Sequence, residues 1–108
     1  MKFDIEYEKV MFEEYTLRMR DTFAKKRADY GQTTTETFAK FGPIAMLVRM
    51  HDKIGRLDNL LTGKTPDVVD ERVEDTLLDL ANYALITLIE LAKINTKGDD
   101  DGGTKTMD

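Results

Sequence analysis

Residues 77–91 constrain the fold more than any other stretch of the sequence, because their apolar side chains occur all around a helix axis. The apolar residues are Leu77, Leu78, Leu80, Ala81, Ala84, Leu85, Ile86, Leu88, Ile89 and Leu91. A helix that is apolar on every side has to be covered on every side. The other helices of one short chain cannot enclose it, so we expect a homodimer or homotetramer in which further copies cover its free face.

Two segments that precede this helix have the periodicity of amphipathic helices. The first, from about Asp4 to Asp29, has an apolar face that consists of Met11 or Phe12, Tyr15, Met19 and Phe23. We expect Gly31 to end this helix, since glycine readily takes the positive φ of a helix C-terminus, and residues 32–37 to be a connection. The second segment follows Gly42-Pro43 and has an apolar stripe of Leu47, Met50, Ile54, Leu57 and Leu61.

The third helix follows a short break in the pattern. Thr62-Gly63-Lys64 is typical of a helix end and Thr65-Pro66-Asp67 of a helix start, so helix three is expected to begin there or at Asp70 and to end near Ile94. The sequence therefore predicts an all-α fold, an antiparallel bundle of three to four helices completed by oligomerisation. Residues 1–95 are expected to form one domain, followed by a disordered acidic tail at 96–108.

The composition excludes several classes of function. With 16 basic and 21 acidic residues, the chain has a net charge of -5, which opposes nonspecific binding to nucleic acid. Cysteine and serine are both missing, which excludes enzymes that use a thiol or a serine hydroxyl as nucleophile. No apolar stretch is long enough to span a membrane and the N-terminus has no secretory signal, so we expect a cytoplasmic protein.

Helix three also carries a stripe of polar side chains at helical spacing. The stripe consists of Glu71, Asp75, Asp79 and Asn82 and continues through the apolar Leu78, Ile86 and Ile89. The acids are therefore expected to face the interior, where a carboxylate is neutralised, paired or bound to a metal. For Glu71 and Glu74, stabilisation of the helix dipole explains the pattern equally well. For Asp75 and Asp79, the structural alternative is a buried salt bridge to helix two.

Helix two carries the complementary charges. Arg49, Lys53 and Arg56 are at positions i, i+4 and i+7 and lie on one face, with Asp52 beside them. Three cations on one stripe suit the oxygens of a polyphosphate, which Arg binds through a planar fork and Lys as a point charge. Alternatively, the cations pair with the acids, and such pairs can open to admit a ligand and magnesium. For His51, the single histidine, a hydrogen-bonded structural role is favoured over catalysis.

Several of these residues lie in segments that point to a known family. The segments are KRADYG at 26–31, Phe41-Gly42, Arg49 with Lys53 and Arg56-Leu57, and DTLLDLANYA at 75–84. Over about residues 25–91 they resemble the nucleotide modification associated domain 1 family, which is common in bacteriophages and is associated with handling or modifying nucleotides. The resemblance implies a nucleotide partner, and the host cytoplasm as location if a phage encodes the chain. It implies a nucleotide-binding set of Arg49, Lys53, Arg56, Tyr30, Asn82 and Lys26.

The helical pattern also looks like the MazG-type all-alpha nucleoside triphosphate pyrophosphatases, in which acids on two helices hold magnesium and pyrophosphate is released. Those enzymes pair an ExxE motif with an ExxD motif, whereas helix two here has only Asp52 and Asp58. Helix three has Thr76 three residues before Asp79, where the motif has an acid. The likeness implies Mg²⁺ as cofactor, with metal ligands drawn from Glu71, Asp75, Asp79 and Asp52.

Three hypotheses about function remain open at this point. The first is a Mg²⁺-dependent pyrophosphohydrolase that converts a deoxynucleoside triphosphate to the monophosphate and pyrophosphate, with Asp79 and Asp75 as catalytic residues. The second is a noncatalytic nucleotide-binding module of a DNA or nucleotide modification system. The third is a purely structural oligomeric bundle in which the charges satisfy one another, so that Asp79→Asn is neutral or stabilising.

Overall fold

The computed structural model of the chain contains three helices: α1 (Ile5–Phe41), α2 (Ile44–Leu61) and α3 (Glu71–Asp100). It describes the backbone of residues 2–63 and 71–100 and the side chains of residues 2–63 and 71–96. This described part has no β-strand, so the prediction of an all-α fold is confirmed. None of the described helices combines the length and the apolar character of a membrane-spanning segment.

Helix α1 begins where the sequence predicts and ends much later. The Asp4 carboxylate caps its start by accepting hydrogen bonds from the backbone N–H groups of Glu6 and Tyr7, at 3.1 and 3.3 Å. The helix does not stop at Gly31, and the predicted connection at 32–37 is helical, so both expectations are wrong. It ends at Gly42, whose φ of 78° is the conformation that glycine takes without strain.

Tertiary contacts explain why α1 continues through these weak helix formers. Gly31 is one of the buried residues of α1. The Thr35 hydroxyl donates to the Glu90 carboxylate on α3 at 2.9 Å. Phe38, 2% exposed, packs in the core one turn later. The contacts with the rest of the chain override the local propensities of glycine and threonine.

The bounds of α2 and α3 agree with the sequence at some ends and differ at others. Helix α2 starts after Gly42-Pro43 and ends at Leu61, as predicted. The expected cap of helix three at Thr65-Pro66-Asp67 lies outside the described residues. Helix α3 extends to Asp100 rather than ending near Ile94, so it includes the first residues of the segment interpreted as a tail. Residues 101–108 lie outside the described residues.

Contacts between helices fix their relative directions. Along α1 and α3, Arg18 pairs with Glu74 and Thr35 with Glu90, so residue numbers rise together and these two helices run parallel. Helix α2 runs the other way, because Lys53 contacts Asp79 whereas the later Arg56 contacts the earlier Thr76. Consecutive helices are therefore antiparallel, as the sequence predicts.

The apolar side chains divide between a small core and a large exposed surface. The buried apolar residues of the described chain are Phe38, Met46, Leu57 and Val73. On α1, Met11 rather than Phe12 belongs to the inward face with Tyr15, Met19 and Phe23. On α2, the predicted stripe is confirmed at Met50 and Leu57 and is wrong for the single chain at Leu47, Ile54 and Leu61, which are exposed. The inward face consists of Met46, Met50, Lys53, Leu57 and Leu60.

The molecule is elongated for its length. Its radius of gyration is 17.2 Å and it extends 54 Å along its longest axis. A compact domain of about 110 residues has a radius of gyration of about 13 Å. The apolar side chains on the outward face of α2 and the exposed apolar side chains of α3 belong to a chain whose own described helices do not cover them.

Candidate functional site

A cavity of about 240 Å³ lies where the three helices meet. Its lining combines cationic, aromatic and amide side chains: Phe23, Lys26, Arg27, Tyr30, Thr34, Arg49, Asp79, Asn82, Tyr83 and Ile86. The lining holds three cations, Lys26, Arg27 and Arg49, and one carboxylate, that of Asp79, in a chain whose net charge is -5. The wall of this cavity is therefore locally cationic, which favours an anionic ligand.

Asp79 holds two cations from two different helices. Its Oδ1 lies 3.3 Å from Lys26 Nζ on α1, and its Oδ2 lies 3.3 Å from Lys53 Nζ on α2. The side chain of Asp79 is 23% exposed and thus reaches the cavity while it joins all three helices. The contact with Lys53 is the salt bridge to helix two that the sequence offers as the structural alternative for this residue.

The other predicted nucleotide-binding cations separate along α2. Arg49 lines the cavity and forms no ion pair within the described residues. Arg56 instead donates from Nε to the Thr76 hydroxyl at 3.1 Å, and that hydroxyl donates to the Arg72 carbonyl at 2.6 Å. Thr76 is only 2% exposed, so Arg56 is anchored in the contact between α2 and α3 and does not line the cavity. The predicted cationic stripe thus divides into a cavity-lining residue, a partner of Asp79 and a structural contact.

Of the other predicted metal ligands, only Asp75 lies near Asp79, since the two acids line a second pocket with Arg18 and Lys26. Glu71 and Asp75 are exposed, contrary to the expectation that they face the interior, and Asp52 on α2 is exposed as well. Positions four residues apart rotate by about 40° around a helix, so the stripe drifts across the edge of the inward face. Within residues 2–63 and 71–96, no group of three acidic or histidine side chains is placed to hold a metal ion.

The polar and aromatic residues of the cavity differ in how firmly they are held. Asn82, which is buried, donates from Nδ2 to the Met19 carbonyl on α1 at 3.2 Å. Tyr30 lines the cavity rim and is largely exposed, whereas Phe23 and Tyr83 are half-buried. Exposed aromatic faces next to cations suit a nucleobase or a sugar beside its phosphates. His51 is exposed and does not line the cavity.

Sequence reasoning missed the most deeply buried charge of the site region. Glu90 on α3 is 2% exposed and accepts three hydrogen bonds at Oε2, from Arg27 Nη2 at 2.8 Å, Thr35 Oγ1 at 2.9 Å and Lys93 Nζ at 3.2 Å. Burial by itself raises the pKa of the Glu90 carboxyl, but hydrogen bonds from Arg27, Thr35 and Lys93 outweigh it and lower the pKa below the usual value. The signal in the sequence was the position of Glu90, an acid between Ile89 and Leu91 in the apolar stretch of helix three.

The profile of the nucleotide modification associated domain 1 family matches residues 26–91, more than half of the chain. The chain belongs to the nucleotide modification associated domain 1 family. No curated protein and no solved structure gives a significant match. The likeness to MazG-type pyrophosphatases and the bacteriophage origin stay predictions.

The part of the chain that defines the nucleotide modification associated domain coincides with the cavity. It begins at Lys26 and ends next to Glu90, and it includes every lining residue of the cavity except Phe23. The amino-terminal turns of α1, which carry exposed apolar side chains such as Phe12, precede it. The family region therefore contains the cations of the cavity, Asp79 and the buried pair of Arg27 and Glu90, whereas Lys93 lies beyond it.

Proposed function

We propose that this domain binds a nucleotide in the cavity between the three helices. The observation that supports the proposal is the excess of cations, Lys26, Arg27 and Arg49 against Asp79, in one wall that also carries aromatic rings. The phosphates of the ligand would contact Lys26 and Arg49, and the base would lie against Tyr30. The family association with nucleotide modification supports the same class of ligand.

The size of the cavity limits how much of a nucleotide it encloses. Its volume of about 240 Å³ is below the range of about 300–1,000 Å³ that is typical of pockets enclosing a whole small ligand. The cavity therefore suits the phosphates and part of the sugar. The base would extend over Tyr30, whose ring is available because it is exposed.

Binding of a panel of ribo- and deoxynucleoside triphosphates, measured by isothermal titration calorimetry, tests this proposal. Arg49→Ala removes a cavity cation that has no ion pair to lose, and we expect affinity to fall by roughly tenfold for about 1.4 kcal/mol. Lys9→Ala is the matched control, because the ion pair that Lys9 forms among the described residues is with Glu6 on the exposed face of α1. Absence of binding by the wild-type protein to every triphosphate would refute the proposal.

A second candidate is a pyrophosphohydrolase that acts on a deoxynucleoside triphosphate. The observation in its favour is that the Asp79 carboxylate lies in the same wall as the cations. Magnesium is the cofactor that the sequence predicts for such an enzyme, but both oxygens of Asp79 are held by lysines and no second acid lines the cavity. The described acids of one chain therefore do not fit a divalent cation there.

Pyrophosphate release distinguishes the enzyme from the noncatalytic module. The full chain is incubated with deoxynucleoside triphosphates with and without Mg²⁺, and Asp79→Ala is compared at matched folded concentration. Metal-dependent release that the variant lacks would establish the hydrolase. Triphosphate binding without release would leave the nucleotide-binding module of a modification system as the function.

We also propose that the domain assembles as a homodimer or homotetramer. The support comes from the exposed apolar side chains of α2 and α3, among them Leu47, Ile54, Leu85 and Leu88, and from the elongated shape of the single chain. Contiguous apolar surface of this kind is typical of protein interfaces. Light scattering coupled to size-exclusion chromatography tests it, and a monodisperse monomer at micromolar concentration would refute it.

A further inference from the structure

The guanidinium of Arg27 uses one of its terminal nitrogens and leaves the other without an acceptor. Nη2 donates to Glu90 Oε2 at 2.8 Å. Nη1 is buried and has no hydrogen-bond partner among the residues that the structure describes, although Arg27 lines the cavity. A buried donor without an acceptor is costly to a fold. Because the side chain of Arg27 lines a cationic cavity, an anion bound there can supply the missing acceptor.

The surroundings of Arg27 hold its guanidinium in place. Glu90 is itself fixed by Thr35 and Lys93, whose donor atoms lie 2.9 and 3.2 Å from Oε2. The centroid of the Phe23 ring lies 5.9 Å from Arg27 Cζ, so the ring and the guanidinium are neighbours. An arginine that is oriented before the ligand arrives loses little side-chain entropy on binding.

The charges of this cluster leave it attractive to an anion. Arg27 and Lys93 contribute two positive charges, and Glu90 contributes one negative charge. Glu90 therefore orients Arg27 without cancelling the positive charge of the whole cluster. Lys26, in contrast, is a more exposed point charge that is already paired with Asp79.

We infer that the guanidinium of Arg27 is a phosphate ligand of the cavity whose unpaired Nη1 donates to the anion once the ligand has opened the packing around it, and that Glu90 is the positioning residue that holds the guanidinium through Nη2. The inference rests on the proposed nucleotide binding and adds the subsite that receives the phosphate. The anion class is a phosphate or pyrophosphate group, because its oxygens match the fork of a guanidinium. The competing account is that the Arg27–Glu90 pair only holds α1 against α3.

Electrostatics alone and positioning by Glu90 predict opposite effects for Glu90→Gln. Removal of a negative charge near the cavity strengthens the binding of an anion if charge is all that matters. Loss of the carboxylate that aims Arg27 weakens the binding of the anion instead. Glu74→Gln is the matched control, since Glu74 also forms an α1–α3 ion pair, with Arg18 at 3.0 Å, and does not line the cavity.

The experiment titrates inorganic pyrophosphate and a deoxynucleoside triphosphate into the full-length wild-type protein, Glu90→Gln and Glu74→Gln by calorimetry. We expect Glu90→Gln to weaken both ligands by roughly tenfold or more, whereas Glu74→Gln leaves them within about twofold. In wild-type protein, the side-chain NMR signal of Arg27 shifts on addition of pyrophosphate. Unchanged or tighter binding by folded Glu90→Gln would overturn the inference.

Arg27→Lys keeps the test decisive if Glu90→Gln does not fold. Lysine retains the charge and the pairing with Glu90 but has no second terminal nitrogen for the ligand. We expect this variant to fold and to lose pyrophosphate binding by a similar factor. If wild-type protein binds the triphosphate and Arg49→Ala weakens it while Arg27→Lys does not, the inference fails and the proposed function stands. If wild-type protein binds no triphosphate, the proposed function itself fails.

Discussion

The Asp79 and Glu90 clusters have the same arrangement of charges and different surroundings. Each places one α3 carboxylate between two cations, Lys26 and Lys53 in the first case and Arg27 and Lys93 in the second. The carboxylate side chain is 23% exposed at Asp79 and 3% exposed at Glu90. The shortest ion-pair distance is 3.3 Å in the first cluster and 2.8 Å in the second.

The difference shows how burial assigns distinct tasks to similar charges. Solvent screens the Asp79 pairs, so their lysines can exchange the carboxylate for another anion at low cost. The Glu90 pairs are largely removed from water, and breaking them leaves a buried charge without a partner. We therefore interpret the Asp79 cluster as the adjustable side of the cavity and the Glu90 cluster as its rigid side.

The largest expected effect is on stability when Glu90 is changed. Glu90→Gln removes the charge that compensates the largely buried Arg27, and we expect the free energy of unfolding to fall by about 3 kcal/mol or more. Urea denaturation measures this change. Glu74→Gln, which breaks the exposed pair with Arg18, should change stability by less than about 1 kcal/mol. Equal effects of the two substitutions would break the comparison.

The pH dependence of stability sharpens the comparison next. Because the pKa of Glu90 is lower in the folded protein than its usual 4.5, the stabilisation that it provides is complete above that value. It is lost as the pH falls through the lower folded-state pKa. Urea denaturation of wild type and Glu90→Gln between about pH 7 and about pH 3 should therefore give curves that converge in acid. A constant difference between the curves would contradict this assignment.

Asp79→Asn should have a smaller effect on stability. The amide oxygen still accepts from one lysine, and the cluster is partly solvated, so we expect a change within about 1 kcal/mol in either direction. Thermal and urea denaturation both report this quantity. A loss as large as that of Glu90→Gln would show that Asp79 belongs to the rigid framework rather than to the adjustable side of the cavity.

The smallest effects on stability are expected at two helical glycines, Gly31 beside Arg27 on α1 and Gly55 on α2. Gly31→Ala places a methyl group 3.7 Å from Arg27 Nε, an ordinary contact, and Gly55→Ala on α2 meets nothing within 4 Å. Each should raise the free energy of unfolding by about 0.5–1 kcal/mol, because alanine restricts the unfolded chain and favours helix. Destabilisation by Gly55→Ala alone would indicate that another chain packs closely against that face of α2.

Sequence periodicity predicts the helices well and their inward faces less well. The all-α fold, the bounds of α2 and the start of α1 follow from local signals such as the Asp4 cap and Gly42-Pro43. The continuation of α1 through Gly31 does not, because it depends on contacts with α3 that no local pattern contains. The apolar stripe of α2 was misassigned because that helix has two apolar faces, and only the packing of the other helices selects one.

The candidate site was predictable in its residue types and not in its partners. Helical spacing predicts Asp79, Lys53 and Arg49 as site residues. In the structure, Asp79 and Arg49 line the cavity and Lys53 pairs with Asp79. In the structure, Arg56 instead contacts Thr76, and Asp75 is exposed. Residues four apart on a helix differ in direction by about 40°, which is enough to move a side chain from the interior to the surface. The role of Glu90 could not be predicted from local spacing, because its partner Arg27 lies 63 residues away in the sequence.

The length of α1 has a consequence for how the molecule can be monitored. Arg18 is the α1 residue that pairs with the first turn of α3, so the helix before about Tyr15 projects past the described start of α3. A protruding helix of about ten residues is marginal in water on its own. Its backbone amides should exchange with deuterium within seconds in an isolated chain and far more slowly under a covering surface. The deuterium exchange rate of these amides therefore reports whether another surface covers the amino-terminal end of α1.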